Sequence, residues 1–181
     1  MTGKTAQDVL NFWTEAGPKK WWMKDSEFDA EISRQFGGLY EQACKGELDH
    51  WAESPDGALA LILLLDQFSR NLHRNSPLAF AQDNKCADLT RSQIASGADH
   101  HLPADIRPFC YMPLMHSENL EDQNLGLEMM EKFGVEGNVK AAVEHRDIIA
   151  KFGRFPHRNS VLGRETTPEE QAFLDDGGFA G

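Results

Sequence analysis

Ser54-Pro55-Asp56-Gly57-Ala58-Leu59-Ala60-Leu61-Ile62-Leu63-Leu64-Leu65 is the stretch that decides the fold. Ser54 is an N-cap, Pro55 occupies the first helical position, and the Asp56 carboxylate faces the positive end of the helix dipole. From Ala58 to Leu65 every side of that helix is apolar, so other elements must surround it and it belongs at the centre of the molecule. Eight residues are too few to span a bilayer. Leu and Ala favour helix over a buried strand.

Helix signals recur on both sides. Thr5 caps a first helix whose apolar side is Val9, Leu10, Phe12 and Trp13, and Gly17-Pro18 ends it. Lys19-Lys20-Trp21-Trp22-Met23-Lys24 reads as a connector whose indoles plug the end of the bundle. Asp25 or Ser26 opens a second helix with a stripe of Phe28, Ile32, Phe36, Leu39, Tyr40 and Ala43. Inside it, Gly37-Gly38 weakens the helix or lets a neighbour approach. Ser76-Pro77 starts a helix running to Ser96-Gly97. Leu102-Pro103-Ala104-Asp105 starts one shortened or kinked by Pro108 and Pro113. Asn119 caps the next, with Leu120, Leu127, Met130 and Phe133 facing inward, and Gly134 and Gly137-Asn138 break it. Val139 to Phe152 is a further helix, and Thr167-Pro168-Glu169-Glu170 is a capping box. The expectation is an all-α single domain over residues 1–181, of about eight antiparallel helices, with residues 175–181 frayed.

A net charge of -11 makes the surface repel nucleic acid and anionic membrane at long range. Nine Arg are still available for a local positive site, and Arg146, Arg154, Arg158 and Arg164 lie close together. Cys44, Cys86 and Cys110 are odd in number and outside any zinc spacing, which argues against a disulfide framework. With no signal-peptide pattern at the start, a cytoplasmic location is expected.

Three stretches carry the polar chemistry. On the central helix Asp66 and Arg70 are four apart and share a face. They are either an ion pair fixing helix packing or a carboxylate that orients a ligand. His116-Ser117-Glu118 follows Pro113, and there His116 can act as general acid/base with Glu118 or Asp66 orienting it. A metal can be drawn among His116, Glu118, His145, His157 and Asp66, but no metal-ligand signature is present, so none is expected. His145 and Arg146 sit in apolar company on their helix; the bland reading of His145 is a core histidine bonded to a backbone carbonyl. Arg154, His157 and Arg158 lie in a loop after Gly153. There they either grip a carboxylate or phosphate, or bond orphan helix-end carbonyls. Gly163 to Thr167 reads as scaffolding.

Leu65-Asp66-Gln67-Phe68-Ser69-Arg70-Asn71, Tyr111-Met112-Pro113-Leu114-Met115-His116-Ser117-Glu118 and Phe152-Gly153-Arg154-Phe155-Pro156-His157-Arg158-Asn159, followed by Leu162-Gly163-Arg164-Glu165, resemble the bacterial family filed as domain of unknown function 924. The likeness runs from Val9 to Leu174. It implies an all-helical fold of the tetratricopeptide-like class, and brings no established activity, substrate or cofactor. Met115 departs from the pattern, since relatives tend to place an acidic residue before the His.

The two readings that follow belong to different classes. In the first, the three stretches converge on a pocket for a small anionic molecule. Arg70, Arg154, His157 and Arg158 would hold it, and His116, His145, Asp66 and Glu118 would supply general acid/base catalysis, with no cofactor. In the second, the chain is a tetratricopeptide-like module that binds a peptide on an open concave face, and the motifs are structural. Nucleic acid and membrane are not expected partners, and a homo-oligomer is left open.

Overall fold

A computed structural model describes residues 3–179. Among these there is helix and no strand. The elements are α1 (Ala6–Trp21), α2 (Ser26–Cys44), α3 (Pro55–Ile62), a π-helical turn (Leu63–Phe68), α4 (Ser69–Leu72), α5 (Asp83–Ser96), α6 (Pro108–His116), α7 (Leu120–Phe133), α8 (Glu136–Phe152) and α9 (Pro168–Asp175). Among the described residues no helix is long and apolar enough to cross a membrane.

The chain from Pro55 to Leu72 is one continuous rod, and it lies where its composition requires. Every residue from Ala58 to Leu65 is fully buried. The helices α1, α5 and α6 pack on α3, and α2 covers the π-turn. Aromatic rings fill the space between. Phe12, Trp13, Phe36 and Phe68 interlock at centroid separations of 4.9–6.0 Å, and Trp13 meets Phe109 edge-on at 5.4 Å. Both geometries suit the aromatic quadrupole.

Most helix starts coincide with the residues that signal them. Thr5 and Asp8 form a reciprocal capping box, and Asp25, Ser54, Asn119 and Thr167 each accept backbone N–H bonds at their helix starts. Several expectations are corrected. At Gly17 the backbone leaves the helical region (φ 69°, ψ 178°), so the first run of helix stops there as expected, but Pro18 begins a further helical turn that reaches Trp21 where a connector was expected. Trp21 plugs the bundle end as expected, its indole N–H donating to the Trp13 carbonyl at 2.7 Å, but Trp22 and Met23 stay exposed. Nothing packs closely on Gly37 or Gly38. The close approach is instead at Gly126 of α7, where an added Cβ would sit 3.0 Å from Leu114 Cβ of α6. Leu120 is exposed, and Met129 and Met130 carry the inner face of α7. Only Gly134 breaks the chain before α8, because Asn138 lies inside the first turn and its side chain accepts from the Val135 N–H. The tail expected to fray folds back at least to Phe179, whose ring lies 4.6 Å from that of His145. Ala180 and Gly181 lie outside the described residues.

One further difference shapes the site. The helix expected from Ser76 onward comes in two pieces. Pro77–Phe80 is a single 3-10 turn, and α5 starts only at Asp83. That offset turns the first residue of α5 toward α4.

Candidate functional site

The π-turn carries Asp66. A π-turn widens the helix by one residue, and such turns collect at functional sites. Asp66 is completely buried. Its Oδ1 accepts from His116 Nδ1 at 2.7 Å and from Arg70 Nη1 at 3.2 Å, and its Oδ2 accepts from Gln67 Nε2 at 2.6 Å. Burial by itself would raise the Asp66 carboxyl. The charges of His116 and Arg70 and these hydrogen bonds outweigh it and hold the group at about 2. Asp66 is therefore ionised and can only accept, which assigns the proton to His116 Nδ1 and leaves Nε2 as the free ring nitrogen. Nε2 makes no hydrogen bond among the described residues and is not sealed from solvent.

Arg70 joins this pair to Asp83 at the start of α5. Its Nη1 and Nη2 donate to the two Asp83 oxygens, both at 3.0 Å. Arg158 approaches the same carboxylate from the other side, Nη1 lying 3.4 Å from Asp83 Oδ2. Its Nη2 donates to the His116 carbonyl at 3.0 Å. The guanidinium is stacked between Phe80 and Phe155, 4.5 Å from each centroid. Arg158 is buried, and its Nε has no partner among the described residues. Burial lowers its pKa to about 10, with Asp83 opposing the shift.

The last turn of α6 is held by side chains from elsewhere. Gln123 Nε2 donates to the carbonyls of Met115 and Ser117, both at 2.7 Å, while Arg158 takes the carbonyl of His116. All three carbonyls are thus satisfied where no further turn follows. Glu118 accepts a forked pair from Arg164 at 2.7 and 2.9 Å and the Phe155 N–H at 2.8 Å. Burial works against the charge on Glu118, but Arg164 and the Phe155 N–H hold its carboxyl below the usual range. Arg164 is thus scaffolding, as its loop suggested.

These groups border a half-open cleft of about 200 Å³, walled by Phe80, Asp83, Asn84, His116, Glu118 and Arg158. Of the candidates, five are brought together: His116, Glu118 and Arg158 line the cleft, and Asp66 and Arg70 lie behind it, tied to His116 and Asp83 by the hydrogen bonds above. Three are not. Arg154 forms a forked pair with Glu170 at 2.7 and 2.9 Å and also donates to the Glu165 carbonyl at 2.7 Å. That pairing holds the Glu170 carboxyl at about 2. His145 donates from Nδ1 to the Ala141 carbonyl at 2.7 Å, the bland role already weighed for it, and its ring is 6.4 Å from that of His116. His157 packs beside Phe155 and Phe179. Neither histidine borders the cleft, and burial pulls both down to about 4. Arg146 is half-buried beside Asp147. Met115 is buried in the main core, so no carboxylate faces outward there. Among the described residues no three His, Cys, Asp or Glu side chains are placed to share a metal ion.

Arg154 is thus engaged by Glu170 and the Glu165 carbonyl, away from the cleft. Arg154→Ala is expected to lower Tm by several degrees in a thermal melt, while the signals of cleft residues in an amide NMR spectrum stay in place. An unchanged Tm would show that the Glu170 pair does not hold α9 to the loop.

Asp83 and Phe80 were not legible as site residues. The only local signal was the Ser76-Pro77 start, which places a helix there but not the break after Phe80.

Fold and site together define an all-α bundle whose central helix carries a buried Asp–His–Arg network into a surface cleft. The chain belongs to the family described as "Bacterial protein of unknown function (DUF924)", whose family model matches residues 9–178. It is similar to a solved structure of a protein of unknown function from Agrobacterium tumefaciens. The identity is 41%, over 95% of this chain and 97% of that one, with a TM-score of 0.91. A search of curated proteins gave no match.

Proposed function

We propose that the cleft binds a small anionic molecule and that His116, oriented by Asp66, exchanges a proton with it. The observation that carries this reading is the Asp66–His116 pair at 2.7 Å, with Asp66 buried, His116 lining the cleft and its Nε2 unbonded among the described residues. A carboxylate on Nδ1 fixes the tautomer and steadies the imidazolium when it forms, which is what a general acid/base needs. The structural reading of Asp66 explains its bonds to Arg70 and Gln67, since a packing pair would look the same. It gives no reason for a histidine whose second nitrogen is unbonded. Arg158, stacked between two rings and fixed at its Nη2, offers a rigid guanidinium edge to the ligand.

The test is a binding screen of wild type with small carboxylates and phosphate esters, read by amide NMR. At least one compound is expected to shift the signals of Asn84, Ser117 and Leu162 together, and His116→Gln should abolish any chemical change in that compound. Shifts confined to other surfaces, or no shifts at all, would overturn the reading.

A further inference from the structure

The cleft's own charges are already balanced, and that decides how it can take an anion. Three cations and three carboxylates meet here. Asp66 and Arg70 come from the central rod, Asp83 from α5, Glu118 from the end of α6, and Arg158 and Arg164 from the loop after α8. His145 of α8 lies behind His116 and is kept neutral by burial. The carboxylates bordering the cleft are engaged at every oxygen. Both Asp83 oxygens are taken by Arg70, and both Glu118 oxygens by Arg164. The groups left over are the Asn84 amide, the remaining N–H bonds of Arg158 and His116 Nε2. The first two are donors suited to an oxyanion. Nε2 is not, while His116 is neutral. In that form its one proton is on Nδ1, held by Asp66, so Nε2 presents a lone pair to whatever enters.

We infer that the cleft takes up an oxyanion and a proton together, the proton going to His116 Nε2. Protonation converts the one repelling group into a donor and supplies the one positive charge that the balanced network lacks. In the bound state Nδ1–H donates to Asp66 and Nε2–H donates to the anion, so both ring nitrogens of His116 are paired. The ligand class is a carboxylate or a phosphate-like oxyanion; a monoanion that enters with one proton leaves the cleft neutral. This rests on the proposed cleft reading and adds to it the obligatory proton.

Proton uptake tests it directly. Sodium sulfate or sodium acetate is added to weakly buffered wild-type protein near pH 7.5, and the acid needed to hold the pH is measured against sodium chloride at equal ionic strength. Uptake approaching one proton per bound anion is expected, with affinity falling about tenfold per pH unit on the alkaline side. A response to sulfate alone marks a tetrahedral ligand, and a response to acetate alone a planar carboxylate. His116→Gln should show no uptake. If that variant does not fold, nitrogen NMR of His116 in wild type should show Nε2 gaining its proton as the anion is added. Binding without proton uptake, an unchanged Nε2 signal, or no binding of either anion overturns the coupling. The first two outcomes leave the cleft reading standing, because it asks only for binding at these residues.

Discussion

Asp66→Ala is expected to cost about 3–5 kcal/mol in urea unfolding, the range for removing one partner of a buried charge network. The reason is what it leaves behind. Arg70 keeps its forked pair with Asp83 but loses the second carboxylate, and Gln67 Nε2 and His116 Nδ1 lose their acceptor in a fully buried place. Asp66→Asn keeps the volume and the oxygen facing His116, so its cost is expected to be smaller, about 1–3 kcal/mol. The two variants also part company with pH. The Asp66 carboxyl is held at about 2 when folded, against about 3.9 unfolded. A depressed carboxyl contributes stability that is present above the unfolded value and lost as pH falls through the folded one. That contribution is about 2–3 kcal/mol, present above about pH 4 and gone near pH 2. Wild type should therefore lose this increment across that window, and Asp66→Asn should lack it. Equal acid sensitivity in both proteins would mean that Asp66 is not the ionised centre of the network.

The same network shows what a sequence can and cannot display. Asp66 and Arg70 could be paired on paper because four residues separate them on one helix. The meeting of Asp66 with His116, fifty positions away, could be proposed from the polar character of the two stretches, but not located. Asp83 was invisible for a different reason. It looks like any acidic residue in a helix, and only the break after Phe80 turns it onto Arg70 and Arg158. Arg154 stayed open on paper because a loop guanidinium suits a ligand and a neighbouring carboxylate equally well. Glu170, which takes it, is also the third residue of a capping box. The fold was easier to read. Capping residues announce most helix starts locally, and the all-apolar run from Ala58 to Leu65 leaves no place but the centre. What periodicity does not encode is the distance between backbones, and the glycines carry that information.

Gly57→Ala is expected to destabilise the protein by about 3 kcal/mol, against the usual sign of such a change. In a helix interior, alanine in place of glycine is favourable by about 0.5–1 kcal/mol, because it restricts the unfolded chain. At Gly57 a Cβ would sit 2.1 Å from the Trp51 carbonyl oxygen and 2.9 Å from its carbon. Neither atom can swing aside as a side chain would. The Trp51 carbonyl accepts from the Ser54 N–H at 3.3 Å, and Ser54 in turn caps the helix by accepting from the Gly57 N–H at 3.1 Å. Moving the turn away therefore breaks the cap of the helix on which the whole core is built. Overpacking of a well-ordered site costs about 1–3 kcal/mol, and loss of the N-cap adds about 1 kcal/mol, so the clash outweighs the propensity gain. Gly137→Ala is the internal control. It also lies in a first helical turn, but nothing stands within 4 Å of its added Cβ. There the ordinary gain of about 0.5–1 kcal/mol is expected. Chemical denaturation of the two variants should move in opposite directions. Should Gly57→Ala stabilise as Gly137→Ala does, the central helix does not start against the Trp51 turn, and its packing would have to be redrawn from that end.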